Sequence, residues 1–400
     1  MPDLAKRLAE VPLSATLAMS AKARELASQG IEIISLALGE PDFPTPAIAI
    51  EAAHQAALGG DTKYPALPGT LALRSAIQRK FRRDHGLDYG LDQIMVANGG
   101  KQVIFNAFLA TLDPGDEMVI PAPYWVAYPL MAKLLGATPV FVDCPEESGF
   151  KLGAEALAAA ITPATRWVVL NFPNNPSGAV LSAADLAPIA DVIRAHPDVW
   201  VLSDDIYEHL ILTGEPHATL AQVAPDLADR ILIVSGVSKS YAMTGWRVGF
   251  GAGPVRLIKA MTNMQGNTTS GVAGIAQAAA AAVLDGPQEL LAQRAATYRH
   301  RRDLVADALN QIPGLRCPHP EGAFYVFPSV AGLLGKTTPA GRRLASDDDV
   351  AFALLEEAHV AVVQGSAFGK SPYLRISTAT SEARLIEACA RIDKFCRSLR

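Results

Sequence analysis

The sequence predicts an α/β protein with a mostly parallel seven-stranded sheet covered by helices, followed by a smaller α+β domain. Three observations predict this class. The chain has 400 residues, half of them apolar, which is enough for more than one hydrophobic core. Between about residues 95 and 285, short apolar runs alternate with helical patterns, as in parallel sheets whose two faces are buried. Beyond residue 286 the alternation ends and a long charged helix begins.

Seven apolar runs are the predicted strands of the large sheet. They lie at Met95–Ala97, Met118–Pro121, Pro139–Val142, Trp167–Leu170, Val199–Leu202, Ile231–Val234 and Val248–Gly251. The helical patterns between them include Lys101–Leu112, Tyr124–Leu135, Ala183–Ala195 and Pro254–Met264. Ligands bind at the carboxyl ends of the strands in such sheets, so the residues directly after each run are the candidates for function.

The second domain is predicted from the region after residue 286. Pro287–Leu309 indicates a connecting helix, and further strands and helices follow at Ala323–Phe327, Asp347–Ala358, Val360–Val363, Tyr373–Ser377 and Ser381–Leu399. The residues before 46 precede the main sheet, so we expect them to join this domain. The predicted division is 1–45 as an N-terminal arm and part of the small domain, 46–285 as the large cofactor-binding domain, and 286–400 as the small C-terminal domain.

Composition excludes several classes of protein. The 35 basic and 40 acidic residues leave a net charge of −5 without a dense basic run, which disfavours nucleic-acid binding. The four cysteines have neither a disulfide framework nor metal-ligand spacing, so we predict reduced thiols and no metal. The N-terminus lacks the apolar core of a signal peptide, and no apolar stretch has transmembrane length. We therefore expect a cytoplasmic protein with no membrane partner.

Residues 235–249 carry the strongest functional signal. Lys239 follows the run Ile231–Val234 among small residues, and Arg247 comes eight residues later. A lysine that can form a Schiff base, near an arginine that can hold a phosphate, is what pyridoxal phosphate requires. Taken alone, the segment is equally compatible with a flexible surface lysine in a loop rich in glycine and serine.

A second candidate site follows the run Val199–Leu202. Asp204 would be a costly buried carboxylate without a partner, and the protonated pyridine nitrogen of the same cofactor would supply one. Tyr207, three residues on, can donate a hydrogen bond to the cofactor's ring oxygen. The alternative, favoured by these residues alone, is that Asp204 caps a following helix.

Two loops after other strands complete the pattern. The loop 171–178 holds two prolines and three asparagines, and Asn175 can donate to the same ring oxygen; an ordinary tight turn is the alternative. After Met95–Ala97, the sequence Asn98-Gly-Gly-Lys-Gln102 opens a helix, where backbone amides can approach a phosphate. Neither a P-loop nor the dinucleotide-binding glycine pattern is present.

Two further side chains are candidates for ligand binding. Arg375 lies within a short apolar strand pattern, where a guanidinium suits capture of a carboxylate, although a structural ion pair is equally compatible. Trp125 follows the proline-rich segment 121–123 and can stack on a flat ring, although such tryptophans are more often part of a core.

The chain resembles the class I aminotransferases of fold type I, which depend on pyridoxal phosphate, and within them the bacterial branch of aspartate aminotransferases. The likeness covers nearly all 400 residues. It is carried by Leu38–Phe43, Thr62–Tyr64, Asn98–Gln102, Asn174–Gly178, Ser203–Tyr207, Ser238–Lys239 with Met243–Arg247, Glu321–Tyr325 and Tyr373–Arg375. One small departure is Ser235, where this branch often has asparagine.

The resemblance implies a role for each candidate residue. Lys239 would bond to the cofactor and act as the general base, with Asp204 and Tyr207 as its catalytic partners. The cofactor would be bound by Gly100, Lys101, Gln102, Trp125, Asn175, Asp204, Tyr207, Ser238, Lys239 and Arg247. The resemblance also implies a homodimer, in which Tyr64 of the partner subunit would complete the cofactor site. The substrate would be held by Gly39, Lys101, Trp125, Asn175 and Arg375.

The activity implied is transamination between aspartate and 2-oxoglutarate by a ping-pong mechanism. An aminotransferase for prephenate or aromatic substrates and a pyridoxal-phosphate lyase on the same fold are the alternatives. A DNA-binding regulator is disfavoured because the first 45 residues are too few and insufficiently basic for a fused domain.

Prephenate is expected to be a poor amino acceptor. Relatives that use it commonly carry a lysine where this chain has Pro12, and a proline cannot supply an ammonium group. The alternative is that Lys6 or Arg7 of this chain takes the place of that lysine. Comparison of kcat/KM for prephenate and oxaloacetate, with Pro12→Lys alongside, measures this, and comparable values in the unmodified protein would contradict it.

Overall fold

A computed structural model describes residues 4–5 and 15–400, with the backbone alone at 15–17. Within that part of the chain the helices are α1 Ala15–Ser28, α2 Ala47–Leu58, α3 Leu71–His85, α4 Gly100–Leu109, α5 Ala127–Leu134, α6 Ala154–Ala160, α7 Ala183–Arg194, α8 Leu220–Val223, α9 Val255–Gly266, α10 Gly274–Asp285, α11 Glu289–Asn310, α12 Asp347–Glu357 and α13 Glu382–Ser398. The strands are β1 Ile34–Ser35, β2 Ile94–Ala97, β3 Glu117–Ala122, β4 Thr138–Asp143, β5 Thr165–Leu170, β6 Trp200–Asp204, β7 Ile231–Gly236, β8 Gly249–Ala252, β9 Tyr325–Val326, β10 Val360–Ala361, β11 Val363–Gln364 and β12 Leu374–Ser377.

The large sheet has seven strands in the order β2-β8-β7-β6-β5-β3-β4. Strand β8 runs antiparallel to both of its neighbours, and all other pairs are parallel. The predicted mostly parallel seven-stranded sheet is therefore confirmed, and each predicted run overlaps one observed strand. Strands β6 and β7 extend two residues beyond their predicted ends, to Asp204 and Gly236, so they include polar residues that the apolar pattern excluded.

Residues on the central strands alternate between two hydrophobic cores, one on each face of the sheet. On β7, Ile233 belongs to one buried cluster, whereas Leu232 and Val234 belong to the other. Side chains point to opposite faces with a period of two, so a run that is apolar at every position is buried on both sides. This double burial holds the ends of β6 and β7 in place, and the candidate site lies there.

A second group of elements lies outside this sheet. Strands β11, β12 and β9 form a three-stranded antiparallel sheet, and helix α11 packs against α13. Strand β1 pairs in parallel with β10, with Ile34 opposite Val360, so residues near the start of the chain join its C-terminal part. None of the helices in the described residues is long and apolar enough to cross a membrane.

Candidate active site

The carboxyl ends of β6 and β7 place Asp204 and Lys239 close to each other. The strands are parallel neighbours, with Asp204 opposite Val234, and Lys239 lies in the turn after β7. The Lys239 Nζ donates a hydrogen bond of 2.5 Å to the carbonyl of Gly39 and lies 6.0 Å from the ring centre of Phe324. The sequence segment around Lys239 is thus folded into the protein, and its interpretation as a flexible surface loop does not hold.

Burial makes the Lys239 amine unusually easy to deprotonate. Loss of solvation lowers its pKa to about 8, and the positive charges of Arg375 and Arg247 act in the same direction, opposed by Glu40 and Asp204. A lysine at this pKa provides a substantial fraction of free amine near neutral pH. The free amine is the form that attacks a carbonyl carbon or accepts a proton.

Asp204 is a buried carboxylate, 4% exposed, at the end of β6. Desolvation raises its pKa to about 6, although a 2.5 Å hydrogen bond from the Tyr128 hydroxyl opposes that shift. No α-helix begins directly after Asp204, and among the described residues the only backbone amide that donates to its carboxylate is that of Ile206, at 3.3 Å. Helix capping, the alternative drawn from the sequence, is therefore wrong for this residue.

Tyr207 and Asn175 are buried side chains that bond to residues of the C-terminal part of the chain. The hydroxyls of Tyr207 and Tyr325 are 2.9 Å apart, and both side chains are buried. Asn175 uses its Oδ1 to accept a 3.0 Å bond from Arg375 Nη1, which leaves its amide group for another acceptor. Asn171, which directly follows β5, donates a 3.1 Å bond to the carbonyl of Asp204 and so ties the end of β5 to the end of β6.

Arg375 is a buried cation whose hydrogen-bond partners are neutral. It is 3% exposed, and its guanidinium donates to Asn175 Oδ1 and, at 2.5 Å, to the carbonyl of Ala37. The Nε group has no partner within the described residues, and the guanidinium also lies over the rings of Tyr325 and Phe368. A structural ion pair, the alternative from the sequence, would supply an anion here, so the geometry favours an anionic ligand.

A glycine cradle forms at the start of α4. Gly99 adopts φ +86°, and a Cβ at this position would lie 2.4 Å from Arg247 Nη2. A Cβ on Gly249 would lie 2.2 Å from the amide nitrogen of Gly100. The first amides of α4 have no partners in a preceding helical turn, and a guanidinium lies beside them. Together these groups could hold a phosphate.

The remaining predicted residues surround this cradle. Gln102 braces it by accepting a 2.7 Å bond from the Asn98 amide, and Ser238 is buried next to Lys239. The Lys101 Nζ lies 5.0 Å from the Trp125 ring centre; partial burial lowers its pKa, and Arg247 adds to the effect. Tyr64 is apart from these residues in the single chain, where it is 92% exposed.

Two tyrosines in the site were missed by sequence reasoning. Tyr128 bonds to Asp204, and Tyr325 contacts both Tyr207 and Gly39, where an added Cβ would lie 2.3 Å from its hydroxyl. Tyr128 lies three residues after Trp125 within the segment Tyr124–Leu135 that the sequence predicts as a helix, a spacing that would place both side chains on one helix face, although the observed α5 begins only at Ala127. Tyr325 comes from β9 in the C-terminal part, and its position depends on tertiary packing.

These residues fit pyridoxal phosphate. A cradle of amides and Arg247 suits the phosphate, the buried Asp204 suits a protonated ring nitrogen, and the charges of both Arg247 and Asp204 act on the pKa of the Lys239 amine. A buried carboxylate, lysine and arginine without ion-pair partners would each be costly in a protein that binds no charged ligand. The site therefore has the character of an enzyme that handles amino groups.

Comparisons with known proteins agree with this geometry. The sequence model of the family "Aminotransferase class I and II" matches residues 31–392, and the chain belongs to this family. It is 52% identical over 392 residues to an aspartate aminotransferase of Rhizobium meliloti, covering 98% of this chain and 96% of the relative. It is 51% identical over 399 residues to the aspartate/prephenate aminotransferase of Cereibacter sphaeroides, covering both chains fully.

Solved structures give the same result. The crystal structure of the Rhizobium meliloti aspartate aminotransferase superposes with a TM-score of 0.98 at 51% identity and covers 100% of both chains. The Thermus thermophilus aspartate aminotransferase with maleate has a TM-score of 0.91 at 40% identity, covering 99% of this chain and 100% of that one. The predicted fold, the aminotransferase class and the dependence on pyridoxal phosphate are confirmed.

Proposed function

We propose that this enzyme transfers the amino group of aspartate to 2-oxoglutarate by a ping-pong mechanism. The observation that carries the proposal is the buried Arg375, whose neutral partners leave it free to bind the carboxylate of an amino acid next to the Lys239 amine. The names of the relatives from Rhizobium meliloti and Cereibacter sphaeroides support aspartate as the donor. Amino acids and 2-oxo acids are the substrates of the class.

Each site residue receives a role in this proposal. Gly100, Lys101, Gln102, Ser238 and Arg247 would hold the cofactor phosphate. Asp204 would hold a proton on the cofactor's ring nitrogen, Tyr207 and Asn175 would bind its ring oxygen, and Trp125 would stack on the ring. When bound, pyridoxal phosphate supplies an aldehyde carbon for the amino group and a ring that accepts electrons.

The protein's own residues orient the substrate and move its proton. Arg375 and the Asn175 amide grip the α-carboxylate, with the Gly39 backbone beside them, which fixes the direction of the Cα–H bond. The free amine of Lys239 accepts the proton from Cα and returns one in the reverse half-reaction, because a base with a pKa of about 8 exchanges protons readily near neutral pH. The aromatic side chains of Phe324 and Tyr325 keep water from the pocket wall.

Lys101 is proposed to bind the second carboxylate of dicarboxylic substrates. The Lys101 ammonium lies at the edge of the pocket beside Trp125 and Arg247. The Thermus thermophilus neighbour with maleate, a dicarboxylate, is consistent with such a role. The alternative is that Lys101 only offsets phosphate charge.

Replacing Lys101 by alanine is expected to weaken aspartate selectively. A lost charge-assisted contact costs about 1.5–3 kcal/mol, or roughly ten- to a hundredfold in kcat/KM, and alanine or aromatic donors should be spared. Steady-state kinetics with all three donors measures this, with Lys133→Ala, an exposed lysine on α5, as the control. An equal loss for every donor would assign Lys101 to the phosphate.

Prephenate is a second candidate acceptor, because the Cereibacter sphaeroides relative is named for it. The expectation of poor prephenate use rests on Pro12, which lies outside the described residues, as do Lys6 and Arg7. It remains a prediction.

A lyase on the same scaffold would not convert the bound cofactor to its amine form, so bleaching of the yellow protein by aspartate alone distinguishes an aminotransferase from a lyase.

The proposed active unit is a homodimer in the cytoplasm, with Tyr64 of the partner subunit reaching the cofactor phosphate. Its support is an exposed apolar surface on and near α2 that includes Ile50, Leu58, Tyr64 and Leu71. Sedimentation equilibrium measures this oligomeric state directly.

The domain division at residues 45 and 285 is likewise a proposal, supported by the pairing of β1 with β10.

A further inference from the structure

A buried ionic cluster lies next to the site in the chain, and none of its residues has been given a role above. It consists of Lys80 and His85 from α3, Glu208 from the loop after β6, and Ser235 from β7, and we call it the Glu208 cluster. Each of its four side chains is at least nine-tenths buried. Glu208 Oε2 accepts a hydrogen bond from Lys80 and lies 2.5 Å from His85 Nε2, and Glu208 Oε1 accepts a 2.5 Å bond from the Ser235 hydroxyl.

The cluster is not a metal centre. Asp84, Glu208 and His209 offer ligand atoms within 4.8 Å of one another. However, the Lys80 ammonium bonds to Glu208 and lies 3.6 Å from Asp84 Oδ2, so a lysine already supplies the cation. Burial alone would raise the pKa of Glu208, but Lys80, His209 and His85 hold it well below its usual range. Glu208 is therefore a charged, fully bonded anchor.

The position of Glu208 connects two parts of the site. It follows Tyr207 directly, and its partner Ser235 lies four residues before Lys239. The bond between Glu208 and Ser235 thus joins the loop after β6 to the strand that leads into the lysine turn. Lys80 and His85 fix the same carboxylate to the end of α3, which keeps the loop from shifting along the sheet.

We propose that Glu208 is a positioning residue, which through its bond to Ser235 fixes the Tyr207 hydroxyl relative to Lys239. The inference rests on the proposed roles of Tyr207 and Lys239. A hydrogen-bonded charge clamped from two sides holds a loop more rigidly than apolar packing, and a misplaced polar group loses most of its binding contribution. The bond is expected to act through Tyr207 in cofactor binding and not merely through global stability.

A double-mutant cycle on the cofactor-free, full-length chain tests this. The probe is pyridoxamine phosphate, which has no aldehyde and so reports on the non-covalent pocket, and its Kd is measured by calorimetry. Tyr207→Phe alone should weaken binding about tenfold, and Ser235→Ala alone by a similar factor. In the Tyr207→Phe background, Ser235→Ala should cost less than about twofold, because the contact it positions is already gone.

Ser203→Ala is the matched control. Ser203 is also buried and its hydroxyl bonds to a carboxylate, Asp205, at 2.8 Å, but within the described residues that hydroxyl makes no bond to β7. Its effect on binding should be equal in both backgrounds. Ser235→Thr, which keeps the hydroxyl, should restore affinity, and Glu208→Asp, which keeps the charge but shortens the side chain, replaces Ser235→Ala in the cycle if that variant does not fold.

The outcomes separate this inference from the proposed function. Additive effects of Ser235→Ala and Tyr207→Phe would overturn the positioning role while leaving Tyr207 as a cofactor ligand. Unchanged binding in Tyr207→Phe would overturn the proposed role of Tyr207 itself, and with it the inference. Non-additivity for Ser235→Ala, with additivity for Ser203→Ala, supports it.

Discussion

Replacing Lys239 by alanine lowers transamination by about 10⁴-fold, since a positioned general base alone contributes up to that factor. The variant also loses the covalent attachment of the cofactor. The physical reason is that the amine is both buried and near its titration point, with a pKa of about 8. Stopped assays with aspartate and 2-oxoglutarate measure the rate, and small primary amines added to the medium should restore part of it.

Lys259→Ala is the control for this variant, because Lys259 is an exposed lysine on α9. Its activity should equal that of the unmodified enzyme. Activity in Lys239→Ala within tenfold of the unmodified enzyme, without added amine, would assign the proton transfer to another residue.

Asp204→Asn has opposite effects on activity and on stability. Removing one partner of a buried ion pair costs roughly 3–5 kcal/mol, so kcat/KM should fall by about 10²- to 10⁴-fold. In the cofactor-free protein, however, the buried charge has no such partner and is itself unfavourable. The variant should therefore be more stable than the unmodified protein at neutral pH, a trade-off typical of active sites.

The stability difference depends on pH with a definite sign. The pKa of Asp204 is about 6 in the folded protein and 3.8 without the fold, so the unmodified protein loses stability as the pH rises between these values. The increase in the free energy of unfolding caused by Asp204→Asn should be absent below about pH 4 and reach roughly 3 kcal/mol above about pH 6. Urea unfolding of both cofactor-free proteins at pH 4 and pH 7 measures it.

Asp205→Asn is the matched control for Asp204. Asp205 is equally buried, but its carboxylate faces Ser203 and His217 instead of the pocket. Its effect on kcat/KM should be less than about tenfold, as expected for one buried hydrogen bond. Equal losses in the two variants would show that the region responds to any change of charge.

The large sheet could be predicted from the sequence because its strands are buried on both faces. A run such as Ile231–Val234 is buried at every position, so an uninterrupted apolar stretch identifies it as a strand. The same signal failed at the strand ends. Asp204 and Ser235 are polar, yet they continue β6 and β7, because hydrogen bonds and partner strands satisfy them there.

The candidate site residues could be proposed from the sequence because each follows a strand end or matches a family motif. Their partners were not. Tyr325 meets Tyr207 and Gly39 across long sequence separations, and the Glu208 cluster joins α3, the loop after β6 and β7. No local pattern encodes such contacts, because they depend on how separate elements pack. Asp204 and Asp205 are adjacent in sequence; the resemblance singles out Asp204, and the structure turns the Asp205 carboxylate toward Ser203 and His217.

The central claim is that Lys239 carries pyridoxal phosphate, and chemical trapping tests it most directly. The full-length protein, loaded with the cofactor, is reduced with borohydride, digested and mapped by mass spectrometry. We expect a phosphopyridoxyl group on Lys239. Aspartate added before reduction should abolish this label, because transfer of its amino group converts the cofactor to the amine form, which has no C=N bond to Lys239 for borohydride to reduce. Label on another lysine, with Lys239 unmodified, would show that a different residue carries the cofactor.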